Sequence, residues 1–190
     1  MKFLIIDTTY DSSFAVVYND GKIVYDVSSE AKGKTSERIV PFTEGVLKKA
    51  QVDKKELNAV FAVVGPGSFT GIRIGVSFVS ALAFALGIEK AGIATFYGLG
   101  SKDDYKIIPS RKDYYYYSFG DETGEVYKDD LPEIKKIKSR YSGINDVSDI
   151  DFAANLVERA LDIINKNEFD EVLRPLYLKK SQAERMKEKK

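Results

Sequence analysis

One segment limits the folds open to this chain more than any other: a glycine-rich turn placed between two apolar stretches. Residues 65–75 read GPGSFTGIRIG and follow the apolar run AVFAVV at 59–64. A short apolar run bounded by a turn predicts a buried strand, and the spacing that follows predicts a helix over 72–86. The sequence therefore predicts a strand, a tight turn and a helix whose N-terminal amides face the turn.

The turn does not match the common nucleotide-binding loops. It contains no Lys, which a Walker A loop requires, and its glycines follow GxGxxxG rather than the dinucleotide pattern GxGxxG. In one interpretation the glycines permit a tight turn and close packing of the helix on the strand. In the other, phosphate or nucleotide is contacted by Gly65, Gly67 and Gly71, together with Asp7 and Thr8 after the first apolar run.

The first half of the chain predicts an α/β unit with the order βββαβαβ. The predicted elements are strands at 2–6, 13–18 and 22–27, a helix to Ala50, the strand at 59–64, the helix at 72–86 and a strand at 91–94. We expect Thr35 or Ser36 to cap the first helix. Pro41 is compatible with that helix if it falls near the first turn, before most backbone amides are engaged.

The second half predicts a reduced, strand-rich repeat of the first. Strands are expected at 106–108, 113–119 and 125–127, with a turn at 109–111 and a helix at 151–165 capped by Asp149 or Asp151. Glycines at 98 and 100 favour a boundary near residues 95–101. We therefore predict an N-terminal lobe at 1–97, which carries the partner-interface helices, and a smaller C-terminal lobe at 98–190 with a basic tail.

The composition narrows the chemistry that the chain can perform. Its 190 residues include no His, Cys or Trp. Imidazole-based triads, thiolate nucleophiles, zinc fingers and His-ligated metals are therefore excluded. The net charge is zero, yet residues 179–190 carry six basic and two acidic side chains. This tail has two interpretations, a solvated terminus or a nucleic-acid contact.

The cellular location is also predicted from the sequence. The N-terminus lacks the length and the cleavage site of a signal peptide. No uninterrupted apolar segment reaches the ~18–20 residues that cross a bilayer. We expect a cytoplasmic protein with no membrane contact.

The helix after the glycine turn carries no charge from Ile74 to Ile88. A helix that is apolar on all sides must be covered on all sides, and a sheet covers only one of them. Small residues along it would let another helix approach closely, while Phe78, Leu82 and Phe84 offer apolar area. The outer side is covered either by the rest of this chain or by a partner.

Four motifs together resemble the YeaZ/TsaB family, bacterial relatives of the sialoglycoprotease-like proteins that make threonylcarbamoyladenosine on tRNA. They are LIIDTT at 4–9, SERIVP at 36–41, GPGSFTGIRIG at 65–75 and PLYL at 175–178. The resemblance implies an α/β, two-lobed fold with mixed β-sheets of the actin, sugar-kinase and Hsp70 type, which is ribonuclease H-like. In active members of that superfamily an acid after the first strand, here Asp7, helps to position Mg²⁺ and phosphate. The alternative, which we favour, is a carboxylate that caps the turn at Thr9 or Tyr10.

The resemblance also implies a function, that of a non-catalytic partner subunit. The complex in question forms N6-threonylcarbamoyladenosine next to the anticodon of tRNAs that read codons beginning with A. The chain would bind and activate a TsaD-type catalytic subunit alongside a TsaE-type ATPase, form a homodimer in isolation, and meet tRNA only through the complex. No intrinsic cofactor is expected, and ATP and Mg²⁺ would act only through the complex.

Departures from the family's catalytic members agree with this expectation. Their metal is held by two His on the first helix, where this chain has Thr35, Ser36, Glu37 and Val40, and Pro109-Ser110-Arg111 stands where members often carry Asp-Ala-Arg. Family members pair through their first two helices, which predicts an interface at Ile39, Val46, Ile74, Phe78 and Leu82. The alternatives are a stand-alone ATP-dependent phosphotransferase or peptidase of the same fold, or a homodimeric scaffold for other proteins.

Overall fold

A computed structural model describes residues 1–10, 12–28, 34–133 and 137–178. The first half forms a five-stranded mixed sheet with the order β3-β2-β1-β4-β5. Its strands are β1 (Lys2–Asp7), β2 (Phe14–Asn19), β3 (Lys22–Val27), β4 (Ala59–Gly65) and β5 (Glu89–Ala94). β1 pairs antiparallel with β2 and parallel with β4, so it is central and buried on both faces. The predicted order βββαβαβ is confirmed.

Three helices cover the two faces of this sheet. They are α1 (Thr35–Ala50), α2 (Phe69–Leu86) and α3 (Asp149–Lys166). Because alternate strand residues point to opposite faces, Leu4 and Ile6 pack with α1 and α2, while Phe3 and Ile5 pack with α3. The helix from the second half of the chain therefore completes the core of the first sheet.

The second sheet repeats the order of the first. Its strands are β6 (Tyr105–Arg111), β7 (Tyr114–Phe119), β8 (Glu122–Tyr127) and β9 (Ile137–Ser139), in the order β8-β7-β6-β9. Three antiparallel strands are followed by one parallel to the first, as in β3-β2-β1-β4. Within the described ranges no fifth strand joins this sheet. The boundary between lobes stays a prediction, and the basic tail at 179–190 lies outside the described residues.

Several local predictions are wrong in detail. Thr35 and Ser36 do not cap α1, which begins at Thr35; its N-cap position is Lys34, and no side chain among the described residues caps it. Pro41 lies inside α1, in its second turn. The N-cap of α3 is Ser148, whose hydroxyl accepts a hydrogen bond from the Asp151 amide.

The predicted turn at 109–111 is also wrong, because these residues extend β6. A register shift between Pro109 and Arg111 lets proline stay in the strand, and the chain turns at 112–113 instead. Arg111 then lies over the ring of Tyr114, 3.7 Å from its centroid, and pairs with Glu125. Strand β9 was not predicted, because its three residues are too few to show a period.

Helix α2 has the length and hydropathy of a membrane span: 18 residues with a mean hydropathy of 1.7 and one third of them buried. It contains Arg73, which the sequence criterion of an uninterrupted apolar segment counts as a break. Its buried side packs on the first sheet, chiefly on β4. Core helices of folded domains have the same composition, so length and hydropathy alone do not assign α2 to a bilayer.

Candidate functional site

The glycine-rich turn packs against the end of β1 with almost no space between the two backbones. A Cβ on Gly71 would lie 1.8 Å from the carbonyl oxygen of Thr8, and one on Gly75 would lie 2.4 Å from the hydroxyl of Thr8. A Cβ on Gly67 would meet the carbonyl of Thr9 at 2.4 Å. Glycine is required at these positions because any side chain would push α2 away from β1.

Hydrogen bonds lock this contact. The amide of Ser68 donates to the carbonyl of Thr9 at 2.6 Å, and the hydroxyl of Thr8 donates to the carbonyl of Gly71 at 2.7 Å. Ser68 is the N-cap of α2, and its hydroxyl accepts from the amide of Gly71 at 3.2 Å. The packing interpretation of the turn is therefore the one these contacts favour.

The geometry of the turn gives little support to the interpretation that these residues contact phosphate. Asp7, Thr8, Gly65 and Gly71 are buried, and Gly67 is half-buried beneath Thr9. Three of the amides in the turn are already engaged, those of Ser68, Gly71 and Ile72. The residues present do not fit a bound Mg²⁺-nucleotide, and phosphate contact by these five residues stays an untested prediction.

Asp7 is a buried carboxylate with a structural role. Its Oδ1 accepts a hydrogen bond from the amide of Thr9 at 2.8 Å, which is the turn-capping role favoured from the sequence. Burial raises the pKa of Asp7, while the bonds from Thr9 and the positive charge of Arg140 act in the opposite direction. The fold thus holds a carboxylate where its charged form is disfavoured.

This burial predicts a pH dependence of stability. Because the pKa of Asp7 is higher in the folded chain than in the unfolded one, the folded state binds the proton more tightly between the two values. The contribution of Asp7 to stability is therefore lost as the pH rises through its folded-state pKa. We expect Asp7→Asn, whose amide oxygen keeps the bond from Thr9, to be more stable than the native chain above that pKa.

The measurement is the free energy of unfolding in urea, taken from about pH 3, near the pKa of Asp7 in the unfolded chain, to about pH 8. The difference between Asp7→Asn and the native chain should grow with pH. Asp129→Asn, an exposed carboxylate in the second half, serves as the matched control and should leave the profile unchanged. An Asp7→Asn profile parallel to the native one would show that Asp7 does not titrate in this range.

Arg140, which sequence reasoning missed, is a buried cation whose positive charge acts on the Asp7 carboxylate. Its side chain is 4% exposed and pairs with Asp149 at 3.1 Å. Its guanidinium carbon lies 3.8 Å from the ring centroid of Phe152 and 4.6 Å from that of Tyr141. The rings of Tyr10 and Tyr141 stack 3.9 Å apart beside it. This aromatic cage fixes the second half of the chain over the end of β1.

The C-terminal motif meets the glycine-rich turn. The amide of Leu176 donates to the carbonyl of Val64 at 2.8 Å, and the carbonyl of Leu176 lies against Gly65. The ring of Tyr177 stacks on that of Phe69, with centroids 5.0 Å apart, and its hydroxyl accepts from Nε of Arg73 at 3.1 Å. Three of the four motifs, LIIDTT, GPGSFTGIRIG and PLYL, therefore form one cluster.

The outer side of α2 is not covered by the described part of the chain. Phe84 is 90% exposed, and Phe69 and Val40 are half-exposed. Ile74, Phe78 and Leu82 are partly buried at the edge of the core. We call the uncovered apolar surface of the two helices the α1–α2 face. It comprises the side of α2 near α1, with Ile74, Phe78 and Leu82, the outward side of α2 at Phe84, and Val40 and Phe69 at the N-terminal turns. The sequence showed that α2 is apolar all round, but only the structure shows which aromatic side chains point away from the sheet.

A groove of about 560 Å³ runs along this face between the N-terminal turns of the two helices. Val40, Phe69, Ile74 and Phe78 line it, with Arg73 at its polar side. Contact of a partner with the five predicted interface residues stays a prediction, although two of the five are buried. Ile39 and Val46 are 4% and 1% exposed because they pack down onto the sheet, so they support the face from below and offer it little area.

Comparison with known proteins gives three findings. The family model for tRNA N6-adenosine threonylcarbamoyltransferase matches residues 27–110. The tRNA threonylcarbamoyladenosine biosynthesis protein TsaB of Buchnera aphidicola from Schizaphis graminum is 37% identical over 99 residues, covering 52% of this chain and 47% of that protein. Its counterpart from Acyrthosiphon pisum is 25% identical over 167 residues, covering 77% and 75%. The first match spans about half the length of its relative.

The solved structure of YeaZ from Pseudomonas aeruginosa superposes with a TM-score of 0.73 at 18% identity, covering 93% of this chain and 99% of that one. The repeated sheet order and this overlap show the two-lobed α/β fold with mixed β-sheets that the resemblance implied. This chain is similar to members of the YeaZ/TsaB family in sequence and in fold.

Proposed function

We propose that this chain is a non-catalytic partner subunit in the formation of N6-threonylcarbamoyladenosine on tRNA. It binds and activates a catalytic subunit of the threonylcarbamoyltransferase type. Its relatives are named as biosynthesis proteins of this modification, and the family model of the transferase itself matches residues 27–110. That matched range contains both helices of the α1–α2 face.

The observation that carries the proposal is the exposed α1–α2 face. Side chains such as Phe84 and Phe69 lie in water on a helix whose opposite side is a packed core. Large apolar side chains exposed together on two neighbouring helices are typical of a surface that contacts another protein. The transferase is built on a related fold and would present its own pair of helices, so that the two chains join across a pseudo-two-fold axis. In the absence of that subunit, a second copy of this chain takes its place.

A catalytic role for the chain alone has less support. The glycine-rich turn is engaged in packing, and Asp7 caps the separate turn at Thr9 that follows β1. Among the described residues, no group of three or more carboxylates is placed to hold a metal ion. ATP, Mg²⁺ and tRNA, together with an ATPase subunit of the TsaE type, would then be bound by the assembled complex.

Affinity capture from a native cell extract tests the proposal. The tagged chain should retain the threonylcarbamoyltransferase as its dominant partner, identified by mass spectrometry. Dominance of unrelated proteins would favour a general scaffold and contradict the proposal. A calorimetric titration of the isolated chain with Mg²⁺-ATP distinguishes a partner subunit from a stand-alone enzyme. Tight one-to-one binding would favour a phosphotransferase.

A further inference from the structure

A second cavity lies on the opposite side of the first sheet from the α1–α2 face. It measures about 620 Å³ and opens between α3 and the segment that joins the two sheets. Its walls carry Lys102, Lys106, Arg159 and Lys166 against two carboxylates, Glu158 and Asp162, with Tyr97 at one side. Cavities of roughly 300–1,000 Å³ are the usual size for small-molecule sites.

Lys106 is the unusual member of this set. It is 5% exposed, and its ammonium group donates to the carbonyl of Ser101 at 2.9 Å. In the described part of the chain no carboxylate lies within ion-pair distance of it, whereas Arg159 and Lys166 both pair with Asp162. An ammonium group has three donors, so two of those on Lys106 remain for the cavity. Burial lowers the pKa of Lys106, while the negative charge of Asp104, beyond ion-pair distance, acts in the opposite direction.

The cations of the rim already have partners. Lys102 pairs with Asp121 at 2.7 Å, and Arg159 reaches Glu168 at 3.6 Å. Among the described residues, Lys106 is therefore the cation of this cavity that has no ion pair, and an anion would reach it through the cavity. Desolvated cations without partners are costly to a fold, and a bound anion removes that cost.

Tyr97 gives the cavity an aromatic wall. Its ring is 41% exposed, and the guanidinium carbon of Arg159 lies 4.8 Å from the ring centroid. The amide nitrogen of Asn155 donates to the carbonyl of Gly98, which fixes this residue with its oxygen left as an acceptor. An inorganic ion would fill little of the cavity volume. A phosphate attached to a planar ring would contact both Lys106 and the ring of Tyr97.

We propose that this cavity binds a nucleoside monophosphate, with its phosphate paired to Lys106 and its base against Tyr97. Lysine recognises phosphate as a compact point charge, and the buried position of Lys106 in the cavity wall suits a small ligand over a polymer. The site is separate from the glycine-rich turn and from the α1–α2 face. This proposal therefore does not depend on the proposed function.

The test is calorimetric titration of the full chain with AMP, with inorganic phosphate and adenosine as partial ligands. AMP should bind more tightly than either fragment, and Lys106→Met should weaken AMP binding at least ~10-fold. Lys22→Met, an exposed lysine of β3, is the matched control and should bind as the native chain does. Equal binding by Lys106→Met, or no binding of AMP by the native chain, would overturn the proposal.

Amide chemical shifts of the native chain give a readout that does not depend on a variant. Added AMP should shift the amides of Tyr97, Ser101, Lys106 and Asn155. Shifts confined to 65–71 would place the nucleotide at the glycine-rich turn and would overturn the assignment to this cavity. Thermal unfolding of Lys106→Met without ligand shows whether the variant is folded, which we expect because a buried unpaired charge has been removed.

Discussion

Gly71→Ala should lose about 3–5 kcal/mol of unfolding free energy, enough to lower the melting temperature by ~10 °C in a chain of this size. The added methyl group would lie 1.8 Å from the carbonyl oxygen of Thr8. The carbonyl belongs to the backbone and the backbone fixes the position of the Cβ, so no side-chain rotation relieves the clash. Relief requires α2 to move off β1, which breaks the bond from Thr8 to Gly71 and the bond from Ser68 to Thr9.

Gly45→Ala is the matched control, because it makes the same change in a helix with open space around it. No atom lies within 4 Å of a Cβ at Gly45. Alanine is the better helix former, so this variant should gain about 0.5–1 kcal/mol. Urea unfolding of both variants measures the difference directly. A Gly71→Ala chain as stable as the native one would mean that the turn does not pack closely on β1.

The largest effect on association is expected for Phe84→Asp. Phe84 is 90% exposed and contributes little to the core, so the monomer should keep its stability to within ~0.5 kcal/mol. In a complex that covers the α1–α2 face, the new carboxylate would be buried among apolar groups without a partner. We expect affinity for the transferase subunit, and for a second copy of the chain, to fall more than ~100-fold.

Phe78→Asp should abolish copurification as well, but Phe78 also packs against the core and the variant will lose stability. The pair of variants therefore separates loss of binding from loss of fold. Phe119→Asp is the control, because Phe119 is half-exposed on the second sheet, away from the face. Sedimentation velocity checks all three, and normal pairing by both Phe78→Asp and Phe84→Asp would show that the interface lies elsewhere.

The core of the fold was predictable from residue patterns because each element is long or strongly apolar. Strands β1 and β4 are continuous apolar runs, and Asn19-Asp20-Gly21 marks the hairpin between β2 and β3. The ends of the helices were less predictable than the strands. Several Ser, Thr and Asp residues stand near each start, and only tertiary packing selects Ser148 for α3 or leaves α1 without a side-chain cap.

The candidate sites were also predictable only in part. Apolar residues on all sides of α2 indicated an uncovered surface, and the resemblance assigned it to a partner. Sequence alone could not separate Ile39 and Val46, which face the sheet, from Val40 and Phe84, which face solvent. Lys106 and Arg140 gave no signal, since a charged residue in a strand or loop is usually exposed. Their burial depends on contacts between segments far apart in the chain.

The most direct measurement is the amount of N6-threonylcarbamoyladenosine formed on tRNA by the transferase and ATPase subunits, with and without this chain. The chain alone should form none, and its addition should raise the rate at least ~10-fold, equivalent to ~1.4 kcal/mol of activation free energy. The Phe84→Asp chain should not restore the rate. Equal rates with and without the chain, or modification by the chain alone, would contradict its role as an activating partner.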